Sequence, residues 1–189
     1  MEKWLRLAGV SLLAGSVLGG WATAAAGEVS ALIEAAINGA HRSEAYKERD
    51  QYRHPKQTLL FFGLKPDMTV VEITPGGGWY TEILAPVMRD RGTYYVAAYR
   101  ITETSAQFFR RMDAKLRAKL NANPSVYGKV KLVHFDRAMP KFAPAGSADL
   151  VLTFRNVHNW AKAGTAELMF QGFAAALKPG GVLGVVEHR

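Results

Sequence analysis

Residues 68–85 read MTVVEITPGGGWYTEILA. Val70, Val71 and Ile73 form a short β-branched run of the kind that fills strands. Gly76, Gly77 and Gly78 follow in succession, and a helical pattern begins with Thr81 and Glu82. A strand that passes through glycines into a helix is the opening unit of an α/β sheet, and it lets backbone approach a nucleotide closely. The neighbours narrow the ligand. A phosphate-gripping loop carries Lys-Ser/Thr after its last glycine, and Trp79-Tyr80 stand there instead. A dinucleotide loop needs a third glycine three residues after its second, where this chain has Thr81.

The rest of the chain alternates in the same way. TYYVAAY (93–99), VKLVHFD (130–136), ADLVLTF (148–154) and GVLGVVEH (181–188) read as further strands. Helical patterns occupy 104–120, with Phe109, Met112, Leu116 and Leu120 on one stripe, and 165–177, closed by a turn at Lys178-Pro179-Gly180-Gly181. Pro86 is expected to kink the helix that follows the glycines. Upstream, Val29, Leu32, Ile33, Ala36 and Ile37 keep helical spacing. Ser43 is placed to cap a short helix through Arg49, and Pro55 to open another that Gly63 ends. Continuous apolar strands separated by helices predict a parallel sheet covered on both faces, with ligands outside the strand carboxyl ends.

The 189 residues are 49% hydrophobic, enough for one domain with a real core, which excludes disorder. The absence of Cys excludes disulfides, thiolate metal sites, a Cys nucleophile and a lipoprotein anchor. The formal charge of +8 comes from scattered basic residues without a nucleic-acid-reading motif, so a solvated basic surface is expected and nucleic acid is disfavoured. Lys3 and Arg6, then LAGVSLLAGSVLGGW, then small residues at Ala22–Ala26 have the three-part pattern of a secretory signal peptide. The chain thus divides into a signal peptide (1–26), a helical lead-in (27–66) and an α/β domain (67–189). Export, most simply to a periplasm without a stable membrane anchor, is expected.

Glu72-Ile73-Thr74-Pro75-Gly76-Gly77-Gly78 resembles motif I of class I S-adenosylmethionine-dependent methyltransferases. FFGLKPDMTVVEI resembles the entry to that family's first strand, HFDRAMP its third, SADLVLTFRNVHNW its fourth, and AALKPGGVLGVVEH its turn into the fifth. RDQYRHPKQTLLFFGL, with YTEILAP and RNVHNW, is further similar to a group of exported, predicted methyltransferases. The resemblance runs from Tyr46 to the last residue. It implies a Rossmann-like, doubly wound parallel sheet, truncated here after the fifth of the family's seven strands. It also implies S-adenosylmethionine as cofactor, with contacts at Glu72, Thr74, Gly76, Gly77, Gly78, Tyr80, Asp136 and Arg155. Such a ligand has no phosphates and asks instead for close backbone approach, which Gly76 and Gly78 permit. Glu72 is suited to its ammonium or to loop N–H groups. Asp136 suits the adenine amino group, as the resemblance implies, and equally suits a turn.

The pattern departs from the family at three points. Thr74 stands where a glycine is usual, and a β-branched residue before Pro75 is expected to be extended. The second strand ends at Ala98-Tyr99 without the acid that usually binds the ribose hydroxyls, and Glu103 is the nearest acid in sequence. The chain stops at Glu187-His188-Arg189.

After the fourth strand, Asn156, His158, Asn159 and Trp160 are the candidate substrate contacts, with His158 as candidate base; a structural loop is the competing reading. NVHNW is not the Asn/Asp-Pro-Pro-aromatic motif of enzymes that methylate exocyclic amino groups. Asp136, His158 and His188 sit on separate elements, so no metal site is assigned. Arg49, Asp50 and Arg53 suit a lid, a buried ion-pair network or a solvated face. The expected function is S-adenosylmethionine-dependent methylation of a small molecule. The alternative is a non-catalytic exported binding protein on the same fold.

Overall fold

The structure, a computed structural model, describes residues 17–188, with side chains from residue 27 onward. Most of the leader assigned from sequence therefore lies outside the described residues. Helix α1 (Val17–Ile37) runs through the small-residue segment 22–26. Among the described residues no helix is long and apolar enough to cross a membrane.

Five strands, β1 (Thr69–Ile73), β2 (Thr93–Tyr99), β3 (Lys131–Phe135), β4 (Ala148–Phe154) and β5 (Leu177–Val186), form one parallel sheet in the order β3-β2-β1-β4-β5. The order reverses between β1 and β4, and a crevice opens at the carboxyl ends of such strands. β1, β2 and β4 fall where the apolar runs put them. β5 begins earlier than expected: Ala148 pairs with Leu177 and Leu150 with Val182, so residues 178–181 bulge out of the ladder. The expected turn is thus present, with Gly180 at φ 78, but inside the strand.

Alternation along β1 divides the core in two. Val70 joins Val96, Leu150 and Leu152 beneath α5 (Thr81–Met88), where Val29 and Ile33 of α1 and Leu59 of α4 (Pro55–Phe61) also pack. Val71 and Ile73 face Phe135, Phe142, Trp160 and Phe173 on the other side, under α8 (Val157–Lys162) and α9 (Ala166–Ala176). Burying side chains of this size stabilises by about 1.5–3 kcal/mol each.

The lead-in is fastened to α5 by polar contacts. Pro86 has no N–H for the Glu82 carbonyl, and His41 Nε2 takes that carbonyl at 2.7 Å. Buried Arg42 donates to both Asp50 oxygens, at 2.6 and 2.9 Å, and its Nε lies 3.6 Å from Glu82. Lys119, on α6 (Gln107–Ala122), which the short α7 (Pro124–Tyr127) follows, pairs with the other Glu82 oxygen. Asp50 therefore belongs to a buried ion network, while Arg49 and Arg53 stay outside it. Ser43 precedes α2 (Glu44–Lys47) but makes no side-chain cap, and α3 (Asp50–Arg53) is separate.

Candidate functional site

The chain leaves β1 through Thr74, which is not extended: its φ is 48. The proline rule is overridden because the Thr74 N–H still donates to the Ala97 carbonyl, at 2.8 Å, while the loop turns away from the sheet. This left-handed conformation is the one a glycine takes without strain, and it costs a β-branched residue about 1–3 kcal/mol. Thr74 Oγ1 is buried with no partner. On the neighbouring strand end Arg155 is also left-handed, at φ 64. Asn156 Nδ2 bridges the two ends, donating to the Ile73 carbonyl at 3.3 Å and to Thr153 Oγ1 at 3.0 Å.

The three glycines serve different purposes. Gly76 has φ 60, and a Cβ there would meet nothing within 4 Å, so open space lies against it. Gly77 gives room to the Tyr46 hydroxyl, which donates to its carbonyl at 3.2 Å. Gly78 packs on Leu116, Lys119 and Thr81, each 3.3 Å from a would-be Cβ. The close approach expected at Gly78 is therefore to α6.

Two cavities meet at this loop, sharing Thr74, Pro75, Gly76, Arg155 and Asn156. The larger, of about 580 Å³, lies over the ends of β1 and β2. Ala98 and Tyr99, then Phe108, Phe109 and Met112 of α6, form one wall; Asn159 and Trp160 form another. Arg137 lies over the rings of Tyr99 and Phe109, at 4.2 and 4.6 Å. The smaller, of about 250 Å³, is bounded by Tyr46, Arg49, Arg53, Trp79 and Tyr80.

Glu72 borders the smaller cavity, but its Oε2 accepts from Thr81 Oγ1, at 2.7 Å, and from the Tyr94 hydroxyl, not from loop N–H groups. Burial raises its pKa, against the lowering effect of those hydroxyls and of Lys119. Tyr80 stacks on Phe154 with ring centroids 3.6 Å apart, and burial pushes its hydroxyl up to about 12. Asp136 lies by a third hollow with Arg137, where its Oδ1 accepts the Ala138 N–H at 2.8 Å, a turn contact. His158 lines none of these three cavities. Residues 156, 159, 160 and 163 share the helix face that does, while His158 Nδ1 meets Glu187 Oε2 at 2.7 Å. Among the described residues no group of three or more His, Asp or Glu is placed to hold a metal.

Sequence reasoning missed Asp113, the one acid among the described residues lining the larger cavity. Burial works to raise its pKa, but Arg117 Nε at 2.7 Å and His134 Nε2 at 3.0 Å outweigh that and hold it below its ordinary value. A signal was present, since Asp113 is the sole acid on the otherwise basic helix 107–122 and flanks its apolar stripe.

No protein-family model matches this sequence, and no curated protein does. Solved structures do resemble it. A SAM-dependent methyltransferase from Aquifex aeolicus superposes with TM-score 0.57 at 20% identity, over 72% of this chain and 65% of that one. The fold is that of the class I methyltransferases. TrmN from Thermus thermophilus matches with TM-score 0.53 at 18% identity, over 68% of this chain and 36% of its own. Coclaurine N-methyltransferase, solved with N-methylheliamine and SAH, matches with TM-score 0.52 at 10% identity, over 82% and 42%. The chain thus spans between about one third and two thirds of the length of these structures. The larger cavity reaches past β1 to Arg155 and Asn156 at the end of β4, so it includes the point where the strand order reverses, where ligands of open α/β sheets bind.

Proposed function

We propose that the protein is an S-adenosylmethionine-dependent methyltransferase acting on a small molecule, exported to a periplasm after removal of residues 1–26. The observation that carries this reading is the 580 Å³ cavity built where the glycine loop, the end of β2 and α8 meet. Its size is in the range of small-molecule sites. Three features fit the cofactor: open space at Gly76, the unpartnered Thr74 Oγ1, and an aromatic wall suited to a nucleobase.

In this reading Thr74 and Gly76 present backbone to the cofactor, and Phe108, Phe109 and Met112 cover the base. Asp113 takes the place of the acid that β2 lacks. Two hydrogen bonds leave lone pairs on its carboxylate for ribose hydroxyls. When bound, S-adenosylmethionine supplies an electrophilic methyl group. The chain's task is then positioning, since holding donor and acceptor in line accounts for much of such a rate. Asn159 and Trp160 face the acceptor side, and Asn156 keeps the β1 and β4 ends in register.

Photo-crosslinking with radiolabelled S-adenosylmethionine, followed by peptide mapping, tests the assignment. Label is expected in segments 74–76, 98–101, 108–116 or 155–165. Label confined to other segments, or none, contradicts it.

A further inference from the structure

We propose that the smaller, arginine-walled cavity binds an acid group of the methyl acceptor, making the substrate a small carboxylate or comparable oxyanion. This rests on the methyltransferase reading above and names its substrate class.

Arg49, Arg53 and Arg155 all line the 250 Å³ cavity, and none pairs with a carboxylate among the described residues. Arg155 instead donates to His188, at 2.8 Å. Burial first, and then the charges of Arg49 and Arg155, press the Arg53 pKa down. Three guanidinium groups gathered without an anion are a standing repulsion that an oxyanion relieves, and the planar fork of arginine matches a carboxylate. The one acid in the lining, Glu72, is committed to Thr81 and Tyr94.

Arg53 is held in place rather than loose. Its guanidinium lies over Trp79 at 4.7 Å, and Trp79 Nε1 donates to the Tyr46 carbonyl at 2.9 Å. Behind it the buried Arg42–Asp50 pair fixes the segment that carries Arg49 and Arg53.

The charge of the cofactor argues for the acceptor as occupant. S-adenosylmethionine carries a sulfonium and an ammonium against one carboxylate, so its net charge is positive and three arginines repel it. An anionic acceptor gains from the same arginines. The formal charge of +8 on the chain, +7 once Glu2, Lys3 and Arg6 leave with residues 1–26, also favours encounter with anions. The two cavities share Thr74, Pro75, Gly76, Arg155 and Asn156, so an acid anchored in one brings the rest of its molecule beside the other.

Calorimetric titration of the purified protein with benzoate and with neutral benzamide tests this, alongside S-adenosylhomocysteine and 5′-methylthioadenosine, which lacks the amino-acid end. Benzoate is expected to bind and benzamide not. Arg53→Gln should weaken benzoate by about ten- to a hundredfold, with both adenosine ligands unaffected. Arg49→Gln, at an exposed position, serves should the Arg53 variant fail to fold. Equal binding of benzoate and benzamide overturns the proposal, as does unchanged benzoate affinity in folded variants. A variant that loses S-adenosylhomocysteine but keeps 5′-methylthioadenosine also overturns it, since the cavity then holds the cofactor's own carboxylate. Failure of both adenosine ligands to bind the unaltered protein would instead remove the methyltransferase reading, whatever benzoate does.

Discussion

Trp160 Nε1 donates to the Tyr99 hydroxyl at 2.7 Å, tying α8 to the end of β2 across the floor of the larger cavity. Both residues line that cavity, and Trp160 is buried. Tyr99→Phe leaves the indole N–H unpaired and should lower stability by about 1–3 kcal/mol. Denaturant unfolding measures this, and S-adenosylhomocysteine affinity should fall as the wall loosens. A variant as stable as the parent would mean that the bond does not hold the wall.

Thr74 occupies a left-handed slot at the end of β1. Thr74→Gly should relieve that strain and raise stability by about 1 kcal/mol after allowance for the greater freedom of glycine in the unfolded chain. Thr74→Val keeps the strain and removes only the unpartnered hydroxyl. Both variants lose the unpartnered hydroxyl and only glycine also loses the strain, so thermal melts of both should move upward, the glycine variant further.

The pH dependence of stability should carry a contribution from Asp113. Its folded pKa lies below the ordinary 3.8, so the contribution is full above that value and is lost as pH falls through the folded value. Asp113→Asn should flatten the acid limb of the stability profile. At neutral pH it should cost less than about 1 kcal/mol, as partly exposed ion pairs do. An unchanged acid limb would show that Arg117 and His134 do not hold the carboxylate.

Glu72 has the opposite sign. Burial lifts its folded pKa above 4.5, so its contribution is full below 4.5 and is lost as pH rises through the folded value. Glu72→Gln keeps an acceptor for Thr81 and Tyr94 without the buried charge. Relative to the parent, it should gain stability between pH 4 and pH 8, because the amide carries no buried charge as pH rises. Tyr94→Phe, which removes a donor to the same carboxylate, should destabilise at pH 8. Denaturant midpoints at the two pH values decide the matter.

The sheet was legible because strands covered on both faces must be apolar throughout, so TVVEI, TYYVAAY and ADLVLTF announce themselves. The glycine turn placed the crevice correctly for the same local reason. The Thr74 conformation was not legible, since the rule for a residue before proline is local and the bond to Ala97 is not. Residues 178–181 read as a turn ahead of the strand because nothing in them reveals that Leu177 already pairs with Ala148. His158 looked like its neighbours in sequence, yet 156, 159, 160 and 163 share one face through three- and four-residue spacings, and His158, one or two residues from 156, 159 and 160, points elsewhere. Asp113 depended on His134, twenty-one residues away on β3, and only tertiary structure joins them.

Calorimetric titration of the purified protein with S-adenosylhomocysteine is the most direct test of the proposed cofactor site. Single-site binding with Kd between roughly 1 μM and 1 mM is expected, weakened by Asp113→Ala. No binding at millimolar ligand, by protein shown to be folded, would contradict the assignment.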